Sequence, residues 1–383
     1  MQQYIGLLNE SYPPINDGVV TVTRHYAEGL TDRGEKVCVM TPHVKGGQYD
    51  AYPYKVLDYL SIPIPGRKPY VAGLPWIDAG FWRRVNRIPF KLLHVNSPFV
   101  SASIAEKIVR RQGIPMVGAF HSKFRDDFEK QIPVKAVVDV VMKRMVAFYD
   151  RCDEVWVPAE SVVEVLREYG YKGPVEVVQN GTDLAGAYPD AFFAEARKEL
   201  GLAPGEFVML YVGQHVWQKN LRLMLDALGM LKDLPYRMFF IGAGYAESEM
   251  HRLAAEKGLG DKVTFVGSVW DRTLLTKYYA AADLFLFPSL YDTDGIVKRE
   301  AASLRTPSLM VAGSTAAAAA KDRVDAFLCE NTPESFAAAI RAVSADPELL
   351  RRVGETASVS LARGWDAVVD EVTDRYNALI RRA

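Results

Sequence analysis

Two carboxylates flank a glycine in YDTDGIVKREAAS (291–303), directly after the apolar run DLFLFPSL. Asp292, Thr293, Asp294 and Gly295 are turn formers, Ile296 follows, and Glu300 sits among helix formers. A turn that leaves a buried strand and opens a helix is where an α/β protein holds an anionic or polyhydroxyl ligand. A second junction of this kind is VGQHVWQKN (212–220), where Gly213 and Gln214 end an apolar run and Lys219 offers a mobile ammonium. In a third, PPINDGVV, Gly18 and Val19 are placed to present backbone amides to a phosphate or an acceptor. FIGAGYAESE carries Gly242 and Gly244 as a GxG, but it lacks the third glycine of a dinucleotide fingerprint and comes after several strands.

These junctions need a scaffold of strands and helices in alternation. The strands are read from YIGLLN, KVCVMTP, KLLHVNSP, PMVGAFHS, EVWVPAES and VEVVQNGTD, each a short β-branched run ending in polar or turn residues. Helices are expected at about 20–33, 101–112, 134–152 and 160–169. After LGLAPGE the cycle restarts with FVMLYVGQ, RMFFIGAG, KVTFVGS, DLFLFPS and TPSLMVAG, with helices at 219–232 and 246–258. Alternation implies parallel sheets with right-handed crossovers. The expectation is an α/β chain with two doubly wound halves, joined near 183–205 and facing one another across a cleft. The alanine run STAAAAAKDR (314–323) reads as the start of a helix.

Composition narrows the class. At 383 residues two domains are the default. A net charge of -1 gives no field that would draw the chain onto nucleic acid. Cys38, Cys152 and Cys329 are too few and too scattered for a disulfide framework or a zinc site, which fits a reducing cytoplasm. The amino terminus lacks the layout of a signal peptide, and no run of 18 apolar residues would span a membrane.

In order along the chain, SYPPINDGVVTVTRHYAEGL, VQNGTDL, YVGQHVWQKNL, FIGAGYAESEM and YYAAADLFLFPSLYDTDGIVKREAAS resemble the retaining, nucleotide-sugar-dependent glycosyltransferases of family four. The resemblance implies the GT-B fold of two Rossmann-like domains. It divides the chain into an acceptor-side domain (1–183, with helix 366–383 packing back on it) and a nucleotide-sugar domain (184–365). It makes Asp292 and Glu300 the family's paired acids, Glu300 for the ribose hydroxyls and Asp292 for those of the transferred sugar. Both are hydroxyl donors that a carboxylate accepts strongly. Lys219 then faces the donor's diphosphate and His121, ending PMVGAFHS, the transferred sugar, whereas His94 reads as structural. Gly213, Gln214, Gly242 and Gly244 line the nucleotide pocket, with backbone around Ser268 and Val269 edging the base. The chain departs from the pattern twice: the first acid is Asp, and Gln214 stands where the family usually carries Arg.

The implied activity is retaining transfer of a hexose, UDP-glucose being favoured by family frequency, to a hydroxyl of a lipid, glycan or small molecule. The nucleotide sugar is a co-substrate; no cofactor and no metal are required, so the DxD of Asp292 and Asp294 is a coincidence of spelling. GDP-mannose as donor and a catalytically silent nucleotide-sugar-binding protein are the alternatives; a nicotinamide oxidoreductase would need GxGxxG after the first strand. The stretch 66–91 mixes Trp76, Phe81 and Trp82 with Arg67, Lys68, Arg83, Arg84, Arg87 and Lys91. It reads first as a helix with one buried face, and second as a peripheral contact with the inner face of a membrane. The sequence leaves the oligomeric state open.

Overall fold

The computed structural model describes residues 3–65, 69–131, 134–290 and 292–383. The chain divides into two compact units, Met1–Asn180 with Trp365–Ala383, and Gly181–Gly364.

In the first unit the strands are β1 (Tyr4–Leu8), β2 (Lys36–Pro42), β3 (Lys55–Tyr59), the hairpin β4 (Ser61–Pro63) and β5 (Val71–Gly73), β6 (Phe90–Val95), β7 (Met116–Ala119), β8 (Glu154–Val157) and β9 (Glu176–Val177). The helices are α1 (Gly18–Asp32), α2 (Ala79–Val85), α3 (Val100–Gln112), α4 (Phe124–Gln131), α5 (Lys135–Tyr149) and α6 (Glu160–Glu168). Seven strands form one sheet in the order β3-β2-β1-β6-β7-β8-β9, and every pairing in it is parallel. The order reverses between β1 and β6, which opens a crevice beyond their carboxyl ends.

The second unit contains α7 (Asp190–Glu199), β10 (Phe207–Val212), α8 (Leu221–Gly229), β11 (Tyr236–Ile241), α9 (Glu247–Glu256), β12 (Val263–Gly267), α10 (Arg272–Ala281) and β13 (Leu284–Phe287). It continues with α11 (Ile296–Ser303), β14 (Ser308–Val311), β15 (Phe327–Cys329), α12 (Pro333–Ser344) and α13 (Pro347–Ser360). Its sheet runs β12-β11-β10-β13-β14-β15, all parallel, and reverses between β10 and β13. The strands are apolar on both faces because both are covered. Met209 and Tyr211 of β10 enter one core cluster with Leu221 and Met224, while Val208 and Leu210 enter the other with Tyr279 and Phe285. The two expected doubly wound halves are therefore present.

A last helix, α14 (Trp365–Arg382), belongs to the first unit. It lies so close to α1 that a Cβ on Gly29 would stand 2.7 Å from a Val369 methyl. Arg33 pairs with Asp370 at 2.7 Å, and Trp365 stacks on His25 at 4.6 Å.

The alanine run does not begin an α-helix. Only Thr315–Ala317 form a single 3-10 turn. The carbonyl of Ala316 accepts from the buried Lys298 ammonium at 2.7 Å instead of from a later amide. A polar side chain from another element thus overrides alanine's local preference.

Candidate functional site

The switch point of the second unit brings the two sequence junctions side by side. β10 delivers loop 213–219, which closes in a 3-10 turn at Trp217–Lys219. β13 delivers the 288–295 segment. Asn220, in the left-handed region at φ 60, ties them together by donating to the Pro288 carbonyl at 3.1 Å. The adjoining strand end is held as tightly. Gly213 donates to the Ile241 carbonyl at 3.0 Å and Gly242 to the Gly267 carbonyl at 2.9 Å. Gly242 must be glycine: its φ is +136, and a Cβ there would stand 1.9 Å from the Gly213 oxygen. Gly244, Gln214 and Ser268 are exposed along the same edge, and Val269 is half-buried.

Lys219 and Asp292 form an ion pair across the switch point. Their side chains are only 18% and 17% exposed, so water screens the pair weakly. Asp292 Oδ2 is buried with no hydrogen-bond partner among the described residues. An unsatisfied carboxylate oxygen beside an ammonium is a receptor for a hydroxyl donor next to an anion.

Glu300 lies one turn into α11 and is 7% exposed. Arg272 donates to its Oε1 at 2.8 Å and the Tyr279 hydroxyl to its Oε2 at 2.6 Å. Arg272 also pairs with Asp183. Each carboxylate oxygen has a further lone pair, so Glu300 is an oriented acceptor with capacity left for two more hydroxyls. Sequence reasoning missed Arg272 and Tyr279. The local signals were an arginine directly after the helix-capping Asp271 and the second of two adjacent tyrosines in the same helix.

Asp294 is placed differently from Asp292. Its side chain is 1% exposed and accepts from Arg299 Nε at 3.0 Å and Nη2 at 3.1 Å, with Lys298 at 3.4 Å. That carboxylate is held by Arg299 and Lys298 whereas Asp292 meets Lys219, so the two acids of the DxD spelling take different partners. Gly295 caps α11 at φ +76, and a Cβ there would meet the Phe287 ring at 2.5 Å. The glycine is thus required by the turn and by Phe287 as well as by any ligand. No side chain caps α11, so the amides of its first turn, beginning at Ile296, with Thr293 just ahead, form the positive end of a helix. Tyr291 lies outside the described residues.

His121 is in the first unit, after β7, bonded through Nε2 to Asn96 Oδ1 at 3.0 Å. Burial pulls its imidazole down to about 4, so it is neutral at pH 7. Its folded pKa lies below its unfolded value. The stability tied to the neutral ring is therefore present above about 6.5 and lost as pH falls toward 4. His94 bonds the Tyr376 hydroxyl of α14 and is structural. Gly18 opens α1, where a Cβ would meet nothing within 4 Å, and Val19 follows it. Asp17 caps that helix by accepting from Val20 N at 2.9 Å.

Of the 66–91 stretch, residues 66–68, including Arg67 and Lys68, lie outside the described residues. Phe81 and Val85 on α2 are buried, while Arg83, Arg84 and Arg87 are exposed. Trp82 donates to the Pro75 carbonyl at 2.8 Å, and Lys91 pairs with Glu35 at 2.6 Å. Trp76 (60%) and Ile77 (67%) are exposed beside Leu60 (50%) and Ile62 (52%). So α2 itself has one buried face, and an apolar patch lies next to it.

Residues 16–185 match the family model described as Glycosyltransferase Family 4, and residues 192–359 the model described as Glycosyl transferases group 1. Between them these models take in most of the chain, which belongs to the group 1 glycosyltransferases of family four and is a glycosyltransferase. It is 22% identical over 368 residues to the alpha-monoglucosyldiacylglycerol synthase of Acholeplasma laidlawii, covering 93% of this chain and 92% of that one. It is 29% identical over 317 residues to D-inositol 3-phosphate glycosyltransferase 2 of Catenulispora acidiphila, covering 76% and 71%. Among solved structures, Anabaena HepE in complex with UDP and glucose superposes with a TM-score of 0.78 at 18% identity, covering 98% of this chain and 100% of that chain.

Proposed function

We propose that the chain is a retaining hexosyltransferase that takes its sugar from UDP-glucose and passes it to a hydroxyl of a lipid, glycan or small-molecule acceptor. The observation that carries the reading is the Lys219–Asp292 pair at the β10/β13 switch point, with Glu300 on α11, the helix that follows β13. Two similar proteins support glucose: one is a monoglucosyldiacylglycerol synthase, the other was solved in complex with UDP and glucose.

In this reading Glu300, oriented by Arg272 and Tyr279, accepts the ribose hydroxyls. The diphosphate lies against the uncapped first turn of α11. Lys219 turns from Asp292 to the leaving phosphate, and Asp292 accepts a hydroxyl of the sugar. Charge on the departing diphosphate is met by an ammonium and backbone amides already in place. The acceptor attacks from the face the diphosphate leaves, and a diphosphate oxygen takes the acceptor's proton. The reading needs no cofactor or metal, and neutral His121 acts only as a polar contact.

A donor at about 100 times its dissociation constant stabilises a fold by about 2.7 kcal/mol. UDP-glucose should therefore raise the unfolding midpoint, and GDP-mannose should leave it near the apo value. A shift with GDP-mannose alone would replace the uridine assignment. Binding of UDP-glucose with neither hydrolysis nor transfer would identify a silent binder.

We also propose that Leu60, Ile62, Trp76 and Ile77, with the exposed arginines of α2, touch a membrane surface. Apolar side chains beside basic ones suit an anionic interface. The chain should co-sediment with phosphatidylglycerol vesicles, and Trp76→Ala with Ile77→Asp should abolish most of that binding. Undiminished binding by the double variant would move the contact elsewhere.

A further inference from the structure

The carboxyl edge of the first unit's sheet carries two helix N-termini at its switch point, those of α1 and α3. A helix N-terminus is a natural phosphate cradle. Here the chain's own carboxylates occupy both. Asp17 Oδ1 accepts from Val20 N at 2.9 Å, and its Oδ2 accepts from Ser11 at 3.1 Å. Glu10 Oε1 accepts from Ser101 N at 3.1 Å at the start of α3. Neither carboxylate has an ion-pair partner among the described residues. Burial raises both carboxyl groups, Glu10 to about 7; above that pH a phosphate at the α3 terminus would have to displace a carboxylate and then remain beside its charge.

The same edge holds polar groups of the opposite kind. Asn9 and Asn96, at the ends of β1 and β6, are each 1% exposed, and their Nδ2 groups have no partner among the described residues. Their Oδ1 atoms are engaged, by Ser97 at 2.9 Å and by His121 at 3.0 Å. Unsatisfied buried amide donors beside carboxylate acceptors match a hydroxyl, which both gives and takes a hydrogen bond.

From this juxtaposition we infer that the acceptor group received at this edge is an uncharged hydroxyl compound, such as a sugar or glycerol hydroxyl, and not a phosphate monoester. The inference rests on the reading of the first unit as the acceptor side. It separates the two chemistries of the similar proteins, a diacylglycerol glucoside and an inositol phosphate.

Paired acceptors that each keep a free hydroxyl test it on the full chain with UDP-glucose: 1-monoacylglycerol against 1-acylglycerol 3-phosphate in non-ionic micelles, and myo-inositol against 1D-myo-inositol 3-phosphate. Within whichever pair turns over, the neutral member should be favoured by about tenfold or more in kcat/KM. Glu10→Gln keeps the size of the side chain and removes the charge, and should narrow that ratio several-fold. Preference for the phosphorylated member, or a ratio that Glu10→Gln does not move, overturns the inference. Should no pair turn over, inorganic phosphate decides. In tens of millimolar phosphate the Ser101 and Val20 amide resonances should stay still in the wild type, and Ser101 should move in Glu10→Ala. Movement in the wild type, or none in the variant, overturns the inference. Loss of UDP binding would count against the donor reading alone, because the phosphate measurement does not involve the donor.

Discussion

Lys219→Ala is expected to lower kcat by about 10²–10³-fold, the usual cost of removing one preorganised group that meets developing charge. The affinity for UDP-glucose should fall much less. Lys219 is already neutralised by Asp292 in the unliganded chain, so transferring its ammonium to the ground-state diphosphate exchanges one anion for another. The gain comes when the diphosphate leaves and its charge grows. The variant also leaves Asp292, 17% exposed, without its cation. The second loss makes the pair non-additive: Asp292→Asn should cost less in the Lys219→Ala background than in the wild type. Steady-state kinetics on the two single variants and the double one measure both effects. An unchanged kcat with a raised KM would make Lys219 a binding residue.

Glu300→Gln is expected to weaken UDP binding by about 1–3 kcal/mol, since a charge-assisted acceptor becomes a neutral one. The variant can keep its fold. Its amide oxygen can face Arg272, which donated at 2.8 Å, and its NH2 can face the Tyr279 hydroxyl, which can accept as well as donate. Asp292→Asn has the opposite signature. It removes the counter-charge of Lys219, so UDP should bind as well as before or more tightly, while the intact UDP-glucose loses the acceptor for its sugar hydroxyl. Calorimetric titrations with UDP and with UDP-glucose separate the two carboxylates. Equal losses of UDP affinity in both variants would mean that the acids act as one structural unit.

The strands that carry the site were legible because each is buried on both faces and ends in turn residues. The period-2 split of Val208 and Leu210 from Met209 and Tyr211 shows this in β10. Two edge strands were not legible: β3 includes Asp58, and β15 is three residues long; the other two, β9 and β12, lie within the runs VEVVQNGTD and KVTFVGS. Strand order is a tertiary property, so the strand pattern did not say that the loops after β10 and β13 would be neighbours; only the family resemblance did, by assigning both to one donor. The two acids and Lys219 could be picked out by type and place. Their partners could not: Lys219 and Asp292 are 73 positions apart, Arg272 and Glu300 28. Asp294 shows the limit most clearly. By type it matches Asp292 two residues earlier, yet the buried Arg299 guanidinium fixes it inward.

Hydrogen exchange with and without saturating UDP locates the nucleotide on the chain. Backbone amides of 213–219, 242–245, 268–269 and 293–300 should slow together, with little change at 9–18 and 96–101. Strongest protection in the first unit, at 9–18 and 96–101, with the second unit unchanged, would put the nucleotide away from Lys219, Asp292 and Glu300.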